Sequence, residues 1–172
     1  LPHLKQIKKL TIKDDYLTNL NCLRQMTDLK SLDASCRKLD SFDAIKNLKK
    51  LDRVKLREPS RLISFAFLDH LPLLRSVDLT GGYSHNDITG LLQRPKLEQL
   101  ALHNFTSDDL KFPKTLQNLT ELELDAIKGL TNLDWLKALT YLRAVKIQNC
   151  ADLTKLDALL QLPNLETISF IN

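Results

Sequence analysis

Glycine is scarce in this chain, four in 172 residues, so tight turns built on left-handed backbone are expected to be few. Aromatic residues are few as well, with 1 Trp, 3 Tyr and 6 Phe, and the apolar set is mostly leucine. The three cysteines, Cys22, Cys36 and Cys150, are odd in number and widely spaced. That excludes a disulfide framework and a zinc pattern, and free thiols fit a reducing cytosol. No apolar run approaches the roughly 18 residues of a membrane span, and the start carries no signal-peptide pattern. An initiator Met is missing too, from which we expect a leader or flanking region beyond these residues. The balance of 25 Lys and Arg against 21 Asp and Glu leaves +4, too little by itself to imply a nucleic-acid or membrane partner.

Catalytic and metal-binding patterns are missing in the same way. His3, His70, His85 and His103 are scattered, with no pair at metal-ligand spacing. No carboxylate stands in a motif with a nucleophile, and the glycines near residue 82 lack the Lys-Ser/Thr that a phosphate cradle needs. We therefore expect no enzyme activity, no cofactor and no metal. The sequons at Asn104 and Asn118 are at the level chance supplies in so polar a sequence.

What the sequence has is a repeat. Apolar-x-apolar pairs begin at Leu10, Leu32, Val54, Val77, Leu100, Leu122, Val145 and Ile168, with spacings of 22, 22, 23, 23, 22, 23 and 23. Three residues before each pair stands another apolar residue, and three before that a fourth, interrupted only by Arg94. Of these 32 positions, 31 are apolar, where a 43% apolar composition would fill about 14. The alternating pair places two side chains on one face of a short strand. The rest of each repeat, as in Leu17, Leu20, Leu23 and Met26, is apolar every third residue, which suits a 3₁₀ or short helical return. In the 23-residue repeats the first return leucine is shifted by one, so the extra residue lies where the chain leaves the strand. A single repeat cannot bury its own leucines, and stacking must supply the core.

The spacing L-x-x-L-x-x-L-x-L resembles the leucine-rich-repeat family over the whole chain, in particular its short 22–23-residue, internalin-like class. The resemblance implies an α/β fold: a right-handed, curved solenoid with parallel strands on the concave face and short helical or 3₁₀ segments on the convex one. Residues 1–172 would form one domain of about eight repeats, expected to belong to a longer chain because no terminal cap is visible. The family's Asn/Cys position falls on Asp15, Arg37, Pro59, Gly82, Phe105, Ile127 and Cys150, of which Cys150 alone conforms. The resemblance also implies a protein-binding role, as an adaptor, bacterial effector or regulator of another protein; the alternative is the substrate-recruiting domain of a larger enzyme such as a ubiquitin ligase. A cytoplasmic location is expected, with a secreted effector acting in a host cytosol or an extracellular protein as the alternatives.

The outward residue of each strand can be read directly, about 24 side chains over eight strands, the number one partner contributes to a standard interface. Repeat one presents Lys9 and Lys13, and repeat three is wholly basic with Arg53, Lys55 and Arg57. Repeat six is wholly acidic with Glu121, Glu123 and Asp125. Asp33, Asp78, His103 and Lys146 fall on the same face. Such a strip would orient a protein partner of complementary polarity, the competing reading being a solvated face. Nucleic acid is disfavoured: no aromatic stands among the basic residues, and the acidic cluster would repel phosphate. Tyr83 and His85, in the irregular stretch 81–90, are further candidate contacts, because loops on rigid scaffolds carry function. Cys36, at the end of the second strand, is the one thiol placed to be reactive. Trp135 lies off the apolar row, as an exposed contact or as a partly buried one.

Overall fold

The computed structural model describes residues 2–57, 65–81, 88–92, 94–110 and 116–171. Its eight five-residue strands are β1 (Lys9–Lys13), β2 (Ser31–Ser35), β3 (Arg53–Arg57), β4 (Ser76–Thr80), β5 (Gln99–His103), β6 (Glu121–Asp125), β7 (Ala144–Gln148) and β8 (Thr167–Ile171). They pair in parallel, in sequence order, into one open sheet. Each apolar pair of the repeat sits at the second and fourth position of its strand. From β2 to β7 both residues of every pair are buried, and the first, third and fifth positions keep some exposure.

The three-residue spacing of the leucines fixes the return path. Leu20, Leu23, Met26 and Leu29 are joined by successive bonds in which each backbone N–H donates to the carbonyl three residues earlier, at 2.9, 2.8 and 3.0 Å. The same ladder runs through Phe42, Ile45, Leu48 and Leu51, and through Leu133, Leu136, Leu139 and Leu142. A period of three matches the 3₁₀ helix, in which such residues eclipse one another. One stripe therefore faces the sheet, and those side chains are buried in a continuous core. The 3₁₀ segments Asn21–Gln25, Asp43–Asn47, Ala66–His70, Asp134–Ala138 and Asp157–Gln161 form the other layer, and the return before β5 carries a short α-helix, α1 (Thr89–Leu92), instead.

Register is set at the start of each strand. One carbonyl of the preceding repeat accepts two successive amides: Lys8 from Lys30 and Ser31, Lys30 from Asp52 and Arg53, and so on to Arg143 from Glu166 and Thr167. All seven junctions repeat this pattern, so equivalent residues lie directly side by side, as in Leu32 beside Val54 and Glu123 beside Lys146.

The strand-exit turn differs from expectation in repeats two and four, where the buried residue stands one position earlier, at Cys36 and Gly81. In repeat two the buried exit residue is Cys36, 2% exposed, while Arg37 is exposed and pairs with Asp15 at 3.7 Å. The family's Cys position is thus Cys36, one residue earlier than counting from the strand pair suggested, and Cys conforms in two repeats. Burial pushes its thiol pKa up, which removes Cys36 as a reactive nucleophile. In later repeats an extra residue precedes the buried one and takes left-handed backbone: Asn104 (φ 59°), Ala126 (φ 54°) and Asn149 (φ 50°) come before Phe105, Ile127 and Cys150. That is the inserted residue of repeats six and seven; in repeat four, also 23 residues long, the buried Gly81 follows the strand directly and the extra residue lies beyond it. Repeat five contains the left-handed residue too and remains 22 residues long, so its return is one residue shorter. Pro59 and Gly82 lie outside the described residues.

These turns find their backbone partners by extending the ladder past the strand. The amide of Asn104 donates to Asp125 O (2.9 Å), that of Ala126 to Gln148 O (3.0 Å) and that of Asn149 to Ile171 O (2.9 Å). Gly81 occupies the buried exit position of repeat four. A Cβ there would stand 2.7 Å from the Asn104 carbonyl and 3.0 Å from the Phe105 ring, so a side chain has no room.

Ala126 is the residue at this position with no polar side chain to compensate a left-handed backbone, which costs a non-glycine residue about 1–2 kcal/mol. Replacing it with glycine removes that cost and returns about 0.5–1 kcal/mol through the looser unfolded chain. Ala126→Gly should therefore raise stability by about 0.5–1 kcal/mol, read as a higher urea midpoint at unchanged slope.

Candidate functional site

The concave face follows from the register as three rows of side chains running across the sheet. The middle row is Thr11, Asp33, Lys55, Asp78, Ala101, Glu123, Lys146 and Ser169. Neighbours in a row belong to adjacent strands, a spacing of about 4.8 Å, so opposite charges in successive repeats can meet. Lys55 Nζ lies 2.7 Å from Asp78 Oδ2 and Lys146 Nζ donates to Glu123 Oε1 at 2.8 Å. Arg57 Nη2 joins Lys55 on the same Asp78 oxygen at 3.4 Å.

The tightest part of this network is His103, whose ring stands between two carboxylates. Nδ1 is 3.2 Å from Asp125 Oδ2 and Nε2 is 3.2 Å from Asp78 Oδ1. The Nε2 contact meets off-line, as an ion pair, and both of its atoms are shut off from solvent. Asp125 is held on its other oxygen by the side-chain amide of left-handed Asn149, at 2.8 Å. The chain of contacts thus runs from Lys55 and Arg57 on β3 to Asn149 after β7.

Electrostatics follow from the geometry. Contact with Asp78 raises the His103 pKa above its ordinary 6.5; burial opposes the shift, and Asp125 and Glu123 add to it. Burial alone would raise Asp78, but the contacts of His103 and Lys55 outweigh it and hold the carboxyl well below the usual range. Asp125 is lowered likewise, against burial, by the bonds from Asn149 and His103. A doubly protonated imidazolium can donate on both sides, whereas a neutral ring turns one lone pair toward a carboxylate.

Of the predicted contacts, Lys55, Arg57, Asp78, His103, Glu123, Asp125 and Lys146 are therefore brought together, largely satisfying one another. Lys9, Lys13, Arg53 and Glu121 are on the face, exposed, and have no ion-pair partner among the described residues; Asp33 is half-buried and likewise unpaired. Polarity survives the pairing. The face of β1–β4 carries five cations against Asp33 and Asp78, a surplus of three positive charges, and that of β5–β8 carries Glu121, Glu123 and Asp125 against Lys146 and the His103 ring. Tyr83 and His85 lie outside the described residues. Trp135 is partly buried against the core. Asn149 was not among the candidates; its place after an outward strand residue, in a repeat one residue longer, was the available signal.

No group of three His, Cys, Asp or Glu among the described residues could hold a metal ion. No helix among them is long and apolar enough to cross a membrane.

Because protonation of His103 favours the folded state, its contribution is fully present below pH 6.5 and is lost as pH rises through the raised native value. Asp78 and Asp125 stay ionised across that range. His103→Leu should cost about 1–3 kcal/mol near pH 5.5 and clearly less at pH 9, measured by urea unfolding at both. An equal loss at the two pH values would contradict a charged ring in this position.

Comparison with known proteins places this geometry. A family model described as R13L1/DRL21 LRRs matches residues 109–172. No curated protein matches the sequence. Among solved structures, internalin C2 of Listeria monocytogenes is similar at 17% identity and a TM-score of 0.67, over 97% of this chain and 82% of that one. InlP of Listeria monocytogenes is similar at 20% identity and a TM-score of 0.64, over 98% of this chain and 58% of that one. A leucine-rich-repeat protein of Leptospira interrogans follows at 16% identity and 0.63, over 98% and 50%. At these identities the likeness is one of fold.

Proposed function

We propose that this chain, a solenoid of 22–23-residue repeats with the leucine-rich-repeat fold, acts by holding a protein partner on its concave face rather than by catalysis. The observation that supports this most is the polarity of that face. A surplus of basic groups over β1–β4 and of acidic groups over β5–β8 persists after the internal ion pairs are made, which favours a partner with the opposite order of charge. Eight strands at about 4.8 Å span on the order of 35 Å, and the rows expose about 24 residues, one side of a standard interface.

In this reading the paired residues set a rigid floor, and Lys9, Lys13, Arg53 and Glu121 supply the free charges. The role is that of an adaptor, an effector or a regulator covering another protein's surface. A cytoplasmic location agrees with three cysteines that form no disulfide.

Replacing Lys9, Lys13 and Arg53 together by Glu reverses the free basic charges without touching the core or the ion pairs on Asp78. Affinity capture from the native cell should lose the partner that the unaltered chain retains, with circular dichroism unchanged. Retention of the same partner by the triple variant would remove the concave face from the assignment.

A further inference from the structure

The concave face is not uniform in depth. Between β4 and β8 the sheet carries a shallow cavity of about 380 Å³, and Ala101 and Ala144 form part of its floor. Neither alanine projects beyond Cβ, so the floor drops by the length of a side chain between taller neighbours. Of the charged groups lining it, three are carboxylates (Asp78, Glu121 and Glu123) and one is an ammonium, Lys146. Lys146 is spent on Glu123 and Asp78 is spent on Lys55 and His103. Glu121 is different: it is exposed, stands in register between Gln99 and Ala144, and has no charged partner among the described residues.

We propose that this depression receives one arginine side chain of an extended partner segment, with Glu121 as its counter-ion. This rests on the concave-face reading above and names the chemistry at one point of it. Size and charge both favour the assignment. A guanidinium is flat, suits a shallow floor, and offers five N–H donors where the rim is rich in acceptors, namely Glu121, the Gln99 carbonyl oxygen and the Thr167 hydroxyl. A carboxylate entering the same space would meet a net negative lining.

The register also sets where the segment's acidic residue should be. Arg53 shares a row with Glu121, three ladder steps away through Ser76 and Gln99, which is about 14 Å at the sheet's spacing. An extended chain crossing the strands covers that distance in about four residues at roughly 3.3 Å each. Side chains four apart in an extended segment point to the same side, so an arginine in the depression puts an acidic residue four positions away over Arg53.

The probe is an eight-residue peptide with arginine and glutamate four apart, made in both chain directions, alongside versions with citrulline in place of arginine. Titration into the isotopically labelled protein, followed by amide NMR shifts, should move Ala101 and Ala144 and give roughly tenfold weaker binding for citrulline, the loss of one charge-assisted pair. Glu121→Gln, an exposed change that leaves the fold intact, should erase the difference between arginine and citrulline. Equal binding of the two peptides at shifted concave-face residues, or a difference that survives Glu121→Gln, would overturn the arginine site and leave concave recognition standing. No concave-face shift at millimolar peptide would overturn it as well, and the triple charge reversal then judges the broader reading separately.

Discussion

No repeat of this chain can bury its own leucines, and lateral stacking in strict register is the constraint from which the remaining architecture follows. The register has a specific origin. At each junction one carbonyl accepts two amides from the next repeat, which leaves no freedom to slide. A slip of one residue would turn every core pair outward. Behind the sheet the hydrogen bonds recur every third residue, and the leucines have the same period, so one stripe satisfies backbone and core together.

The register that aligns leucines also aligns everything between them. A parallel, unshifted sheet sets Lys55 beside Asp78 and Glu123 beside Lys146 for the reason that it sets Leu56 beside Leu79. Charges on the concave face are thereby arranged as rows across strands. His103 shows the consequence: it reaches a carboxylate on each neighbouring strand, and its ring closes a network no single repeat contains. Stability of the sheet and charge state of the surface are coupled at that residue.

This explains what was legible in the sequence. Eight strands, their boundaries, the buried columns and the inserted exit residue of repeats six and seven are periodic quantities, and periodic quantities can be counted, whereas the extra residue of repeat four does not stand at the strand exit. Cys36 and Gly81 each stand one residue before the position that a forward count from the strand pair predicts, and a count back from Leu39, as Ile127 stands from Leu130 and Cys150 from Leu153, finds Cys36. Charge clusters were visible along individual strands, Arg53 to Arg57 and Glu121 to Asp125, but a solenoid pairs its side chains sideways. Reading the third position of every strand in turn would have shown the alternation of sign. The depth of the face at Ala101 and Ala144 has no periodic signature, since it depends on which neighbours are tall.

The lateral pairs also decide which residues can contribute to recognition. A carboxylate already held by a cation and partly buried gives a partner little, because its field is neutralised locally and displacing its present neighbour costs what the new contact returns. An exposed, unpaired charge exerts its field over the Debye length of about 8–10 Å and loses only hydration when met. On this face the groups of the second kind include Lys9 and Lys13 on β1, Arg53 on β3 and Glu121 on β6. Long-range attraction therefore comes from these unpaired groups, while the network of Asp78, His103 and Asp125 keeps its shape as a partner settles. A surface so divided discriminates by the spacing of a partner's charges more than by their number, since the rigid network fixes how far apart the free charges can be met.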